Sequence, residues 1–115
     1  DTPDAARADP HRGVMHYYER LRQGYLRNPQ GFESAGRSAR AQELTTLTYE
    51  EILRERVVFG TPTHVAAGLR ALQKDLGLSG VIIEANVGAG VSAELATRSL
   101  KLFAREVAPG LREEA

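Results

Sequence analysis

The apolar positions of this chain change their period near residue 48. In the first part, Val14, Tyr17, Tyr18, Leu21 and Tyr25 fall at helical spacing, with Glu19, Arg20 and Arg22 largely on the other side. Asp9 is placed as an N-cap with Pro10 at the first helical position, and Asn28-Pro29 marks the end, since a residue before proline avoids helical dihedrals. Residues 1–8 are polar, without periodicity, and read as a linker or frayed arm. Gln30–Arg40 holds two glycines, two serines and a lone Phe32 and reads as a loop, with a short helix over Ala39–Leu44. Thr48 and Glu51 match a capping box, which predicts a helix from Tyr49 to Arg54.

Beyond residue 56 short β-branched runs alternate with helical stripes. Val57–Phe59 is an apolar run that stops at Gly60-Thr61-Pro62. Thr61 caps and Pro62 starts a helix whose stripe is Val65, Leu69, Leu72 and Leu76, with Gly77 as its left-handed terminator. Val81–Ala85 is the second run, followed by the loop Asn86–Gly90. Ser92 then caps a last helix carrying Leu95, Leu102, Phe103 and Val107, which ends at Pro109-Gly110. Two such runs around a well-capped helix predict an α/β fold with about two parallel strands and a right-handed crossover. The division expected is a helical insertion or linker over 1–47 and a βαβα portion over 48–115.

Composition narrows the classes. The 115 residues suffice for one small domain, and 42% hydrophobic with 26% charged is a globular balance. Lys plus Arg equals Asp plus Glu at 15 each, which argues for neither nucleic acid nor an anionic membrane as partner. No apolar run approaches the ~20 residues of a bilayer span. Cysteine is absent, so disulfides and thiolate metal sites are excluded, and a cytoplasmic setting is expected. The chain opens Asp1-Thr2-Pro3-Asp4 without an initiator methionine, which suggests a piece of something longer.

Candidate chemistry is sparse. His11 and His16 lie five apart, a spacing that keeps two imidazoles off one helical face, and no carboxylate joins them at metal-motif spacing. No metal site is expected, and the histidines, His64 included, read as structural. The tyrosines of the first helix read as packing against a partner surface. Asn86–Gly90 sits between an apolar run and a helix, where a phosphate cradle would lie, but no Gly-Lys-Ser/Thr follows; a plain connecting turn is the alternative. Glu84 closes its run either as a carboxylate at a cleft mouth or as an arginine partner. Gly60-Thr61-Pro62 is cap chemistry, and no catalytic residue is assigned.

Phe59-Gly60-Thr61-Pro62, Val65–Leu72, Gly80-Val81-Ile82-Ile83-Glu84 and Ser99-Leu100-Lys101-Leu102-Phe103-Ala104-Arg105-Glu106-Val107-Ala108-Pro109 together resemble the C-terminal segment of the bacterial luciferase-like, flavin-dependent monooxygenases and their deazaflavin-using relatives. The resemblance covers roughly residues 56–112. It implies a (β/α)8 TIM-type barrel parent, with Val81–Ala85 as the eighth strand and Leu95–Val107 as the eighth helix. It also implies FMN or a deazaflavin at the strand ends, with Glu84, Asn86 and Gly88 as supporting cofactor-binding residues and a small-molecule substrate. A barrel of this kind takes ~250 residues, so the chain would lack most flavin contacts, and no residue matches a family catalytic motif. Alone it is expected to bind no cofactor and to be inactive. Its partner is then the remainder of the barrel or a second copy, a homo-oligomer in the latter case. The alternatives are a small stand-alone α/β interaction module forming a strand-paired homodimer, and a phosphate-ligand domain using Asn86–Gly90.

Overall fold

Helix follows helix along the chain in a computed structural model that describes residues 2–27 and 34–113. The order is α1 (Pro3–Ala8), α2 (His11–Arg27), α3 (Ser34–Thr46), α4 (Tyr49–Glu55), α5 (Pro62–Leu76), a 3₁₀ turn (Val87–Ala89), α6 (Ala93–Leu102), a π-helical turn (Phe103–Val107) and α7 (Ala108–Glu113). Among the described residues there is no strand, sheet or barrel.

The cap chemistry places most helix starts. Thr48 Oγ1 accepts from Glu51 N–H at 3.2 Å while Thr48 N–H donates to Glu51 Oε2 at 2.8 Å, the reciprocal box expected at α4. Thr61 and Ser92 accept from the backbone N–H of His64 and Leu95 at the heads of α5 and α6. Gly77 ends α5 at φ +66°, ψ 35°, its N–H bonded to Gln73 C=O at 2.8 Å. The backbone turns there through dihedrals that a Cβ disfavours.

Four expectations are corrected. First, Val57–Phe59 and Val81–Ala85 are not strands, so the α/β class with two parallel strands and its barrel frame do not hold. Two short runs backed by one helix would leave both edges and one face open, and an isolated pair gains too little over water to form. Instead Val57 N–H bonds Ile52 C=O at 3.2 Å at the end of α4, and Val58 lies over Gly68 of α5. Val81–Glu84 is irregular and exposed.

Second, residues 3–8 form a helix rather than an arm, with Thr2 Oγ1 accepting from Ala5 N–H at 3.2 Å and Pro3 in the first turn. Asp9 is helical (φ −59°, ψ −45°), so α1 runs almost directly into α2, and Pro10 C=O accepts from Val14 N–H. Third, α3 occupies residues 34–46, including the part of Gln30–Arg40 expected as loop; residues 30–33 and the Asn28-Pro29 stop lie outside the described residues. Packing against α2, rather than local propensity, orders this Ser- and Gly-bearing helix.

Fourth, Pro109 does not end the last helix. Its missing N–H and its ring are incompatible with a regular turn four residues back. The turn widens instead, with Ala108 N–H reaching Phe103 C=O five residues away, and the helix continues to Glu113.

The buried hydrophobic side chains among the described residues are Val14, Ala41, Ile52 and Val107. α2 packs on α3 and on the 3₁₀ turn, while α5 packs on the π-helical turn and α7. Residues from either side of position 48 therefore share a contact. The surface is large: 8398 Å², where a compact chain of 12.6 kDa exposes ~6,200 Å². The radius of gyration, 16.2 Å, likewise exceeds the ~13 Å of a close-packed chain this long.

Candidate functional site

The loop after Glu84 packs main chain against main chain on α2. Asn86 closes it with its side-chain amide: Nδ2 donates to Val91 C=O and Oδ1 accepts from Val91 N–H, both at 3.0 Å. Ala89 N–H adds a bond to Asn86 C=O at 3.1 Å, and Gly88 takes φ +74°, ψ 8°. The backbone thus curls into a knuckle, and the knuckle sits on α2. A Cβ on Gly88 would lie 2.0 Å from Gly13 O, and one on Gly90 would lie 2.2 Å from Gly13 Cα. Gly13 itself is buried. Glycine is therefore required at position 88 twice over, by a left-handed backbone and by the approach of another main chain.

Of the residues that the sequence nominated, the fold brings Asn86 and Gly88 together in this knuckle. Glu84 stands apart on the exposed segment before it, with no hydrogen bond or ion pair among the described residues. The arrangement does not fit a flavin or phosphate cradle in this chain alone. Both polar ends of the Asn86 amide are used by Val91, and the Gly13 main chain fills the space beside Gly88 that a ligand would need. No chemical step follows from this loop. Gly13, the other half of the seam, had no signal in the sequence: a glycine within a helical stripe does not announce what approaches it.

A second polar constellation joins α1, α2 and α4. Tyr49 Oη donates to Arg7 C=O at 2.5 Å, its ring meets His11 edge-on at 4.4 Å and 82°, and Arg7 pairs with Glu50. Partial burial raises the Tyr49 hydroxyl pKa, with Arg7 opposing. The pKa of Tyr18, edge-on to Tyr17 at 5.2 Å, is raised by burial as well, against the opposing charge of Arg56. On α2, hydrogen bonds from Arg22, and secondarily Gln23, lower Glu19 from 4.5 to about 2. Glu51 is lowered chiefly by the Thr48 backbone N–H it accepts. Each shift belongs to partial burial, to a pair within one helix or to a cap. None pairs an acid with a base across a cleft, the arrangement that proton-transfer chemistry requires.

Among the described residues no group of three or more His, Cys, Asp or Glu could hold a metal ion. The open groove of about 610 Å³ along α6 is lined only by α6 and the π-helical turn, among them Glu94, Arg98, Lys101 and Glu106. A cavity walled by one continuous helix is a surface flute, not an enclosed ligand site. Among the described residues no helix is long and apolar enough to cross a membrane. Comparison with known proteins finds no match, whether to a family model, a curated protein or a solved structure.

Proposed function

We propose that this chain is the C-terminal part of a luciferase-like, flavin-dependent monooxygenase or oxidoreductase and is inactive alone. What carries the reading is the ordered run from Phe59-Gly60-Thr61-Pro62 through Gly80–Glu84 to Ser99–Pro109, which resembles that family's closing segment. The cofactor of the parent is FMN or a deazaflavin, its substrate is a small molecule, and it works in the cytoplasm. The remainder of that enzyme supplies the catalytic groups and the cofactor contacts.

The inactive-alone half of the proposal is supported by the Asn86–Val91 closure and by the Gly13 main chain against Gly88. Titrating FMN with the purified chain tests it: flavin fluorescence should stay unchanged at micromolar protein. Saturable quenching would overturn that half. The parentage is tested by the coding sequence upstream of Asp1, where the flavin-binding part of such an enzyme is expected in frame. An unrelated upstream sequence, or none, would overturn it.

A further inference from the structure

We propose that the solvent face of α2 binds single-stranded nucleic acid, with Arg12, Arg20 and Arg27 on its phosphates and Tyr17 stacked on a base. The zero net charge of the whole chain conceals a local imbalance: α2 carries four arginines against one glutamate, with no aspartate or lysine. At about 100° per residue, Arg12, His16, Arg20 and Arg27 fall within an arc of about 80°. All four are exposed, and the buried or half-buried Val14, Tyr18, Leu21 and Tyr25 lie on the opposite side of the helix. Arg12, Arg20 and Arg27 form no ion pair with any described residue, whereas Arg7, Arg22 and Arg56 each hold a glutamate. The one carboxylate of α2, Glu19, is taken up by Arg22 and Gln23.

Spacing and side-chain type select the partner. The helical rise sets Arg12 and Arg20 ~12 Å apart along the axis, and Arg20 and Arg27 ~10 Å apart. Three guanidinium groups so spaced do not converge on one small anion. A strand with a phosphate every ~3.4 Å meets all three, and the ~22 Å from Arg12 to Arg27 spans about six nucleotides, within the ~4–16 of single-strand sites. The guanidinium fork suits phosphate oxygens. Tyr17, beside this stripe, is 41% exposed and braced edge-on by Tyr18 at 5.2 Å. Its open ring offers a base a stacking surface, which an acidic peptide cannot use and a closed duplex does not reach. The inference rests on α2 and not on the flavin reading, and either can fail without the other.

Fluorescence anisotropy of a labelled oligothymidylate, titrated with the purified chain over a tenfold range of salt, is the test. Saturable binding is expected, with a log–log salt slope of ~−2 for three phosphates held. Arg12→Gln, Arg20→Gln and Arg27→Gln should each take ~0.7 from that slope, and the triple variant should bind at least tenfold more weakly with unchanged far-UV circular dichroism. Tyr17→Leu should weaken binding several-fold and leave the slope alone. Arg54→Gln, whose guanidinium is paired with Glu55 on α4, should change neither. Should the triple variant unfold, the single substitutions still read the slope. No binding at submillimolar protein in low salt, or binding indifferent to all three arginine substitutions, would overturn the inference. Equal binding to a duplex, or displacement by polyglutamate with Tyr17→Leu binding as the unsubstituted chain does, would overturn the assignment to a single strand.

Discussion

Residues 2–56 and residues 57–113 treat their apolar side chains differently. The first stretch contributes Val14, Ala41 and Ile52 to the buried set and adds cross-helix ties: Tyr49 to Arg7, Arg7 to Glu50, and Arg56 to Glu43. The second contributes only Val107 to that set and exposes Leu72, Leu76, Val81, Ile82, Ile83, Leu95 and Leu100. Sequence pattern alone would rank them the other way, since the second stretch has the cleaner caps and the stronger apolar runs. Helices meet their backbone hydrogen-bonding needs internally and require only a neighbouring face. Apolar runs of strand type require a partner strand along their length, and among the described residues neither run has one.

The isoleucines Ile52 and Ile82 test that contrast most strongly. Ile52 is 0% exposed, so Ile52→Ala should cost ~2–5 kcal/mol of unfolding free energy in urea, by lost burial and the cavity left behind. Ile82→Ala should change stability by less than ~0.5 kcal/mol. Equal costs would mean that the two stretches are not packed as described. The seam that joins them comes next. Gly88→Ala places a Cβ against Gly13 O and forces an L side chain to positive φ, so a loss of ~2–4 kcal/mol is expected from strain and overpacking together. A neutral Gly88→Ala would show that the loop does not sit on α2.

The smallest effect is electrostatic and confined to the first stretch. A lowered carboxylate pKa means that the folded state favours the charged form. The contribution of Glu19 is therefore complete above 4.5 and is lost as pH falls through about 2. Because the pair with Arg22 is exposed, salt should weaken it. Carbon-detected NMR titration of Glu19 should give a midpoint near 2, moving up towards the ordinary glutamate range in Arg22→Ala. An unshifted wild-type midpoint would remove this tie from α2.

Legibility in the sequence followed the range of the interaction. The Thr48–Glu51 box, the Thr61-Pro62 start, the Gly77 terminator and the Ser92 cap were readable because each is completed within about four residues. The same logic applies to Thr2-Pro3, yet α1 is too short to show a stripe, and its packing comes through Tyr49, more than 40 residues away. At Pro109 the rule that proline stops a helix gave way to a wider turn. The candidate site was legible in part. Asn86 and Gly88 belong to one ordered loop, but its glycines answer to Gly13 rather than to a ligand visible in this chain.

What the sequence determined by itself is where α4, α5 and α6 begin and where α5 must turn, because caps and left-handed glycines act through neighbours along the backbone. Only the tertiary structure decided that the two β-branched runs go unpaired, that a Ser- and Gly-bearing stretch becomes α3, and that the glycine loop serves as a seat for α2. Those outcomes depend on which distant main chain or apolar face arrives to satisfy a segment, and no local pattern carries that information.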